Sequence, residues 1–249
     1  MLDLAIVMPV CNEQACIARV IGSWLAMFAE LSISFRMIVI NDGSRDGTAQ
    51  SLDAFLGVPH VEIIHKANTG HGPTVLMGYR KAVSEARWVF QCDSDDEMSA
   101  IHFPRMWETR DAYDAIIGIR TGRRQTATRR FISACSRVTV RGLFGKAVAD
   151  VNAPYRLIRS ELLREIIALM NDDTFAPNVV ISGALSACGA RVSNLPVPHE
   201  YRRTGSVSIV KWKLWKAAGQ SLWQTIHHRR SFRCLQSTLA GYAKERKPS

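Results

Sequence analysis

The sequence predicts an α/β domain built on a mostly parallel sheet flanked by helices, and three observations predict it. Short apolar, β-rich runs recur along the first hundred residues, each ends in a polar loop, and each of the first three loops leads into a stretch of helical character. Strand, loop and helix repeated in that order require a crossover after each strand, which makes neighbouring strands parallel. With 249 residues and 47% hydrophobic content the chain can bury one sizeable core, and it shows no internal repeat or low-complexity linker.

The first run, Leu4-Ala5-Ile6-Val7-Met8-Pro9-Val10, passes into Cys11-Asn12-Glu13 and a helical stretch from Cys16 to Glu30. The second, Met37-Ile38-Val39-Ile40, meets Asn41-Asp42-Gly43-Ser44-Arg45-Asp46-Gly47, after which Thr48 to Leu56 reads as helix. The third, Val61-Glu62-Ile63-Ile64, ends in His65-Lys66-Ala67-Asn68-Thr69-Gly70-His71-Gly72 before a helix over Pro73 to Ala86. The fourth, Trp88-Val89-Phe90-Gln91-Cys92, stops at Asp93-Ser94-Asp95-Asp96-Glu97. Further on, Leu162 to Met170 reads as a helix with Ser160 placed to cap it. Ligands of open α/β sheets bind beyond the carboxyl ends of the strands, so these four loops are expected to converge there.

Carboxylates held close together repel unless something cationic sits among them, and Asp93-Ser94-Asp95-Asp96-Glu97 therefore points to a divalent metal. Mg²⁺ or Mn²⁺ takes oxygen ligands and reaches a protein through one or two carboxylates plus substrate phosphates. In an extended segment Asp93 and Asp95 point to one side and Ser94 to the other. Alone, the pentapeptide can also be read as a solvated acidic loop capping the next helix. Glu13 and Asp42 can accept hydrogen bonds from ribose hydroxyls or base N–H groups, whereas Asp42-Gly43 and Asp46-Gly47 are also ordinary turn dipeptides, with Asp46 able to cap the helix at Thr48. His71 is suited either to touching phosphate or sugar or to stabilising its turn. Neither a G-x-x-x-x-G-K-[ST] loop nor a G-x-G-x-x-G fingerprint is present, which leaves phosphates to metal and arginine.

Val7-Met8-Pro9-Val10-Cys11-Asn12-Glu13, Asn41-Asp42-Gly43-Ser44-Arg45-Asp46-Gly47-Thr48, Asn68-Thr69-Gly70-His71-Gly72 and Asp93-Ser94-Asp95-Asp96-Glu97 resemble the successive motifs of glycosyltransferase family 2. Gly118-Ile119-Arg120, Asp150-Val151-Asn152-Ala153-Pro154-Tyr155-Arg156 and Pro196 to Ser206 extend the resemblance over about 210 residues, towards the dolichyl- and polyprenyl-phosphate sugar synthases with their GT-A nucleotide-sugar fold. The resemblance implies that Pro9, Cys11, Glu13 and Asp42 hold base and ribose and that Asp93 and Asp95 hold metal and diphosphate, with Glu97 beside them. It also implies that Arg120 and Arg202 bind phosphate. Three residues depart from the family pattern: Cys11 stands where an aromatic often stacks on the base, Glu97 replaces a common Gln, and Asn178 replaces a frequent Glu, so no general base is assigned there. The implied reaction is inverting transfer of a sugar from a nucleotide-diphosphate donor to a polyprenyl phosphate, whose oxygen is already anionic, with Asp95 and Arg202 acting on the leaving diphosphate. Transfer to a hydroxyl would instead need a carboxylate base, for which Asp150 or Asp173 is the candidate. A module that binds nucleotide sugar without turnover is the other alternative, against which intact Asp93, Asp95 and Arg202 argue.

The formal charge of +10 is concentrated in two stretches. Arg120 to Lys146 holds seven Arg and one Lys without an acid, and Arg202 to Ser249 holds eleven basic residues against Glu245, so the remainder carries −8. Two basic patches on an acidic body predict a docking face and not a nucleic-acid-binding protein. Phe131, Ile132, Val138, Val140, Leu143 and Phe144 interleave with Arg129, Arg130, Arg137 and Arg141, and Trp212, Trp215 and Trp223 stand among Lys211, Lys213 and Lys216. Such segments lie in lipid headgroups with basic residues towards anionic lipid, or they pack on the domain as amphipathic helices. Arg129, Arg130 and Arg137 are the candidates for the lipid phosphate, since a guanidinium fork matches its oxygens. No apolar run reaches the roughly 18 residues of a membrane span. Met1-Leu2-Asp3-Leu4 leads straight into the first strand, so no cleaved signal peptide is expected. Attachment is expected to be peripheral, on the cytoplasmic face, unless a separate subunit supplies an anchor. The six cysteines show no C-x-x-C pairing and read as reduced thiols. The expected organisation is a transferase domain over 1–210, divided into a nucleotide-binding half (1–119) and an acceptor half (120–210), followed by an amphipathic helix and basic tail over 211–249.

Overall fold

A computed structural model describes residues 1–122, 142 and 147–198. In chain order the elements are β1 (Leu2–Val10), α1 (Ile17–Glu30), β2 (Phe35–Asp42), α2 (Thr48–Asp53), β3 (Val61–Lys66), α3 (His71–Glu85), β4 (Ala86–Gln91) and α4 (Phe103–Thr109), then β5 (Ala115–Thr121), β6 (Arg156–Arg159), α5 (Ser160–Ala168), α6 (Pro177–Ala187) and β7 (Val192–Pro198). The strands form one sheet in the order β3-β2-β1-β4-β6-β5-β7. Only β6 runs antiparallel to its neighbours, β4 and β5. The boundary drawn at residue 119 falls inside β5, so both proposed halves share this sheet.

β1 reads as an almost unbroken apolar run because it is central and covered on both faces. Its residues still alternate. Ala5 and Val7 join Ile38, Ile40 and Val89 in a core under α3, α5 and α6, while Leu4, Ile6 and Met8 join Met37, Val39, Trp88 and Phe90 under α1 and α4. Trp24 of α1 anchors the second layer, its ring near those of Phe28, Phe90, Phe103 and Tyr155. The result is helix, sheet and helix in three layers.

Several element ends differ from the sequence expectation, each for a local reason. α3 begins two residues early, at His71, because Pro73 falls within the first helical turn, where its missing N–H has no intrahelical acceptor to lose. α2 stops at Asp53, since Phe55 and Leu56 donate to Leu52 and Asp53 three residues back and tighten the chain out of the α-helix. Ser160 does not cap α5: Arg159 holds the cap position and Ser160 is the first helical residue, its buried hydroxyl without a partner among the described residues. Asp46 does secure α2 as expected, its Oδ1 accepting from the Thr48 backbone N–H at 3.0 Å, although Gly47 occupies the cap position itself. β7 carries Pro196 and Pro198, which fit because among the described residues it pairs with β5 alone.

Candidate functional site

After β1 the chain crosses outward to β2 and β3, then returns to place β4 on the other side of β1. The carboxyl ends of β1 and β4 therefore lie side by side at the point where strand order reverses, with Val7 in register with Gln91. This is the crevice in which open α/β sheets bind ligands. It receives Cys11-Asn12-Glu13 from one strand and Asp93-Ser94-Asp95 from the other.

Side-chain hydrogen bonds hold the loops in place. The Asn12 N–H donates to Ser44 Oγ (2.9 Å), the Glu13 N–H to Thr48 Oγ1 (2.8 Å), and the Arg45 N–H to Asn12 Oδ1 (2.8 Å), which ties the β1 loop to the β2 loop. Cys16 Sγ lies 3.4 Å from Glu13 Oε2 and 3.5 Å from the Ser94 carbonyl oxygen, joining the β1 loop to the acidic loop. Gly43, with φ 63°, sits beneath the third loop, where a Cβ would come within 2.6 Å of the Asn68 nitrogen.

Within the acidic loop, Ser94 is buried while Asp93, Asp95, Asp96 and Glu97 are half-buried. Asp96 adopts a left-handed conformation (φ 58°) and its carboxylate pairs with Arg19. Asp95 Oδ1 accepts from the Glu97 N–H at 3.2 Å. His71, at the start of α3, brings Nε2 to 4.0 Å from Asp93 Oδ1. Among the described residues no three His, Cys, Asp or Glu side chains gather into a metal cage. Asp93 and Asp95 fit a different kind of site, one in which a hard cation takes two carboxylates and completes its shell from substrate phosphate. The surrounding potential is negative. Burial and then the charges of Asp42, Asp46 and Glu13 push the Cys11 thiol up, and burial followed by Asp93 and Asp95 pushes the Cys92 thiol well up. Both thiols stay protonated at neutral pH, and Cys11, Cys16, Cys92 and Cys188 form no disulfide.

Pro9 is buried in β1 opposite Ile40, and Glu13 is buried at the loop's base. Asp42 has partners within the protein. It ends β2 in register with Lys66, whose ammonium pairs with its carboxylate, and that carboxylate also accepts the N–H groups of Thr69 (2.8 Å) and Gly70 (2.9 Å). Burial alone would raise its pKa, but the bonds from Lys66 and Thr69 outweigh that and lower it. Asp42 thus organises the Asn68–Gly72 loop from below, which limits its capacity to accept from a base or ribose. Arg120 on β5 is likewise engaged, with Nε and Nη2 donating to Asp150 at 2.9 and 3.0 Å. Burial would raise the Asp150 pKa, yet the Arg120 bond lowers it, which makes Asp150 a poor base near neutral pH. Arg202, Arg129, Arg130, Arg137 and the Trp212, Trp215 and Trp223 segment lie outside the described residues.

Sequence reasoning missed Lys66, because its partnership with Asp42 depends on the β2–β3 register. It also missed Tyr79, Gln91 and Arg156, polar groups buried beneath Asp93. Arg156 stood in a quoted motif, Asp150 to Arg156, but nothing in the motif told a buried arginine from an exposed one.

The model of glycosyl transferase family 2 matches residues 5–167, more than half of the chain. The chain belongs to that family. Among curated relatives, the undecaprenyl-phosphate 4-deoxy-4-formamido-L-arabinose transferase of Pseudomonas paraeruginosa is 28% identical over 200 residues, covering 79% of this chain and 58% of that protein. The transferase of the same description from Pectobacterium atrosepticum is 25% identical over 179 residues, covering 70% and 54%. The family 2 chain thus spans little more than half the length of these relatives. Among solved structures, glucosyl-3-phosphoglycerate synthase from Mycobacterium tuberculosis in complex with phosphoglyceric acid superposes with a TM-score of 0.66 at 16% identity, covering 91% of this chain and 79% of that one. The same synthase in complex with Mn²⁺, uridine diphosphate and glucosyl-3-phosphoglycerate gives 0.65 at 16%, covering 92% and 80%. The fold is therefore that of the GT-A glycosyltransferases, as the sequence motifs implied.

Proposed function

We propose that this chain transfers a sugar, with inversion, from a nucleotide-diphosphate sugar to a polyprenyl phosphate at a membrane surface, using a divalent metal. The observation that carries the reading is the adjacency of the Glu13 loop and the Asp93–Asp95 loop at the carboxyl ends of β1 and β4, joined through Cys16. Membership of family 2, the prenyl-phosphate transferases among the relatives, and the Mn²⁺ and uridine diphosphate held by the similar synthase support it.

Cys11 and Glu13 line the base and ribose end, and Asp93 and Asp95 hold the metal. When bound, Mg²⁺ or Mn²⁺ neutralises charge that builds on the diphosphate as the sugar leaves. Arg202 adds a guanidinium to the same oxygens, and it acts mainly in the transition state because that charge is largest there. A polyprenyl phosphate attacks through an oxygen that is already anionic, so the enzyme orients it and needs no strong base. That agrees with Asp150 being held by Arg120. Arg129, Arg130 and Arg137 draw in the lipid phosphate, and the Trp-rich segment holds the domain at the cytoplasmic face of the membrane.

The donor half of this reading is tested by thermal unfolding with a panel of sugar nucleotides and Mn²⁺. A ligand selective for the native state at 100 times its Kd adds about 2.7 kcal/mol of stability. One donor should stabilise the parent strongly and the Asp93→Asn variant hardly at all. Equal stabilisation of both proteins would remove Asp93 from the site.

A further inference from the structure

Beneath the Asp93 loop lies a buried polar cluster for which the transfer chemistry gives no direct use. Tyr79 of α3, Gln91 of β4, Arg156 of β6 and Asn178 of α6 are each at most 3% exposed. In so apolar a setting, polar groups persist only when they satisfy one another, and a satisfied network fixes the position of whatever it ends on. The Tyr79 hydroxyl oxygen lies 2.7 Å from Gln91 Oε1 and 3.2 Å from Asn178 Oδ1. At the other end of the Gln91 side chain, Nε2 lies 3.5 Å from Asp93 Oδ1.

A phenol has one proton, so it cannot donate to both amide oxygens at once. One of the two amides must turn its nitrogen towards Tyr79, since the placement of amide O and N follows from the hydrogen-bond network. If Gln91 turned, its carbonyl oxygen would face the Asp93 carboxylate, oxygen against oxygen. If Asn178 turns, every contact is donor to acceptor. Arg156 keeps Asn178 in place by donating from Nη1 to its backbone oxygen at 3.1 Å, and its Nε donates to the Ala153 oxygen at 2.8 Å.

We propose that Asn178, Tyr79 and Gln91 form a one-way hydrogen-bond relay, Asn178 N–H to Tyr79 oxygen, Tyr79 O–H to Gln91 Oε1 and Gln91 N–H to Asp93, that holds the Asp93 carboxylate in the orientation its ligand requires. This rests on the reading of Asp93 as a metal and diphosphate ligand. All three are positioning residues: each is buried, and each acts through Asp93. Groups that orient a metal ligand typically change metal affinity or activity by about 10–100-fold when replaced.

The test is Mn²⁺ binding by the full chain in the presence of UDP, followed by electron paramagnetic resonance, with thermal unfolding of each metal-free variant alongside. Tyr79→Phe and Gln91→Met should each weaken Mn²⁺ by about tenfold or more, and the double variant should be no worse than either single one, because both break the same chain. Asn178→Asp separates direction from packing. An ionised carboxylate only accepts, so it takes the Tyr79 proton away from Gln91, and Mn²⁺ should weaken even where the melting temperature is kept. Unchanged Mn²⁺ affinity in folded Tyr79→Phe and Gln91→Met would overturn the relay, as would a melting-temperature loss with no change in affinity. Asp93→Asn tells the two failures apart: if it abolishes binding while the others bind normally, the relay alone is wrong, and if it too binds normally, the reading of Asp93 falls with it.

Discussion

Single carboxylates in this chain differ in function according to what surrounds them. Asp93 and Asp95 stand half-buried after β4 at the strand-order switch point, Asp96 pairs with Arg19, and Asp42 is enclosed by Lys66 and two backbone N–H groups. Asp95→Ala should therefore lower the transfer rate by about 10²–10³-fold, the scale for removing one electrostatic stabiliser, while the chain still folds, because the residue is half-buried and the bond lost from the Glu97 N–H is local to its loop. Near-normal turnover would remove Asp95 from the metal site. Asp42 has a lowered pKa in the folded state, so its contribution to stability is complete above the unfolded value of about 3.9 and is lost as pH falls through the folded value. Asp42→Asn should be less stable than the parent at neutral pH, and the gap should narrow below about pH 4, measured by urea unfolding at a series of pH values. The acidic run after β4 could be located in the sequence because like charges at the end of an apolar run stand out. The Asp42–Lys66 pair could not, since it joins residues 24 apart through a register that only the assembled sheet defines. The Tyr79–Asn178 contact spans 99 positions and was equally hidden.

At the scale of elements, β1 to β4 were legible because parallel strands covered on both faces read as unbroken apolar runs, and the three crossover helices followed from the polar loops between them. Helix ends were less legible. Where α2 stops depends on three-residue-back bonds at Leu52 and Asp53, and Ser160 looked like a cap although the extended backbone at Arg159 places the cap one residue earlier. The loop before α6 also docks against α3 in a way no motif signalled. A Cβ on Gly72 would stand 2.1 Å from the Phe175 carbonyl oxygen and 2.5 Å from that of Thr174. Backbone cannot yield there as a flexible side chain would, so Gly72→Ala should cost about 1–3 kcal/mol in urea denaturation. Gly22→Ala in α1, where nothing lies within 4 Å, is the control and should be neutral or stabilising by up to about 1 kcal/mol. Equal effects of the two substitutions would show that the 174–175 loop does not pack on α3 as described.

Across the whole molecule, charge is divided between an acidic body and two basic stretches, and among the described residues no helix is long and apolar enough to cross a membrane. Basic residues beside an anionic bilayer contribute on the order of 1 kcal/mol each, weakened by salt, so three or four of them with inserted Trp suffice for reversible attachment. Co-sedimentation with vesicles should therefore require anionic lipid, weaken with added salt and drop sharply when Trp212, Trp215 and Trp223 become Ala. Undiminished sedimentation of that triple variant would assign the Trp segment to the core or to a protein interface. The family and the fold were readable from the ordered motifs, whereas the engagement of single side chains was not, because motif order carries no side-chain geometry. The acceptor is where the proposed reaction is most directly tested. With the donor that stabilises the protein and Mn²⁺, transfer should be measured to a polyprenyl phosphate, to the corresponding free polyprenol and to soluble glycan hydroxyls. The expected product is a sugar joined through phosphate to the lipid with inverted anomeric configuration, formed only with the polyprenyl phosphate and abolished by EDTA. Transfer to polyprenol or glycan hydroxyls at a comparable rate would contradict it, because those acceptors need a general base, which the proposed mechanism does not use.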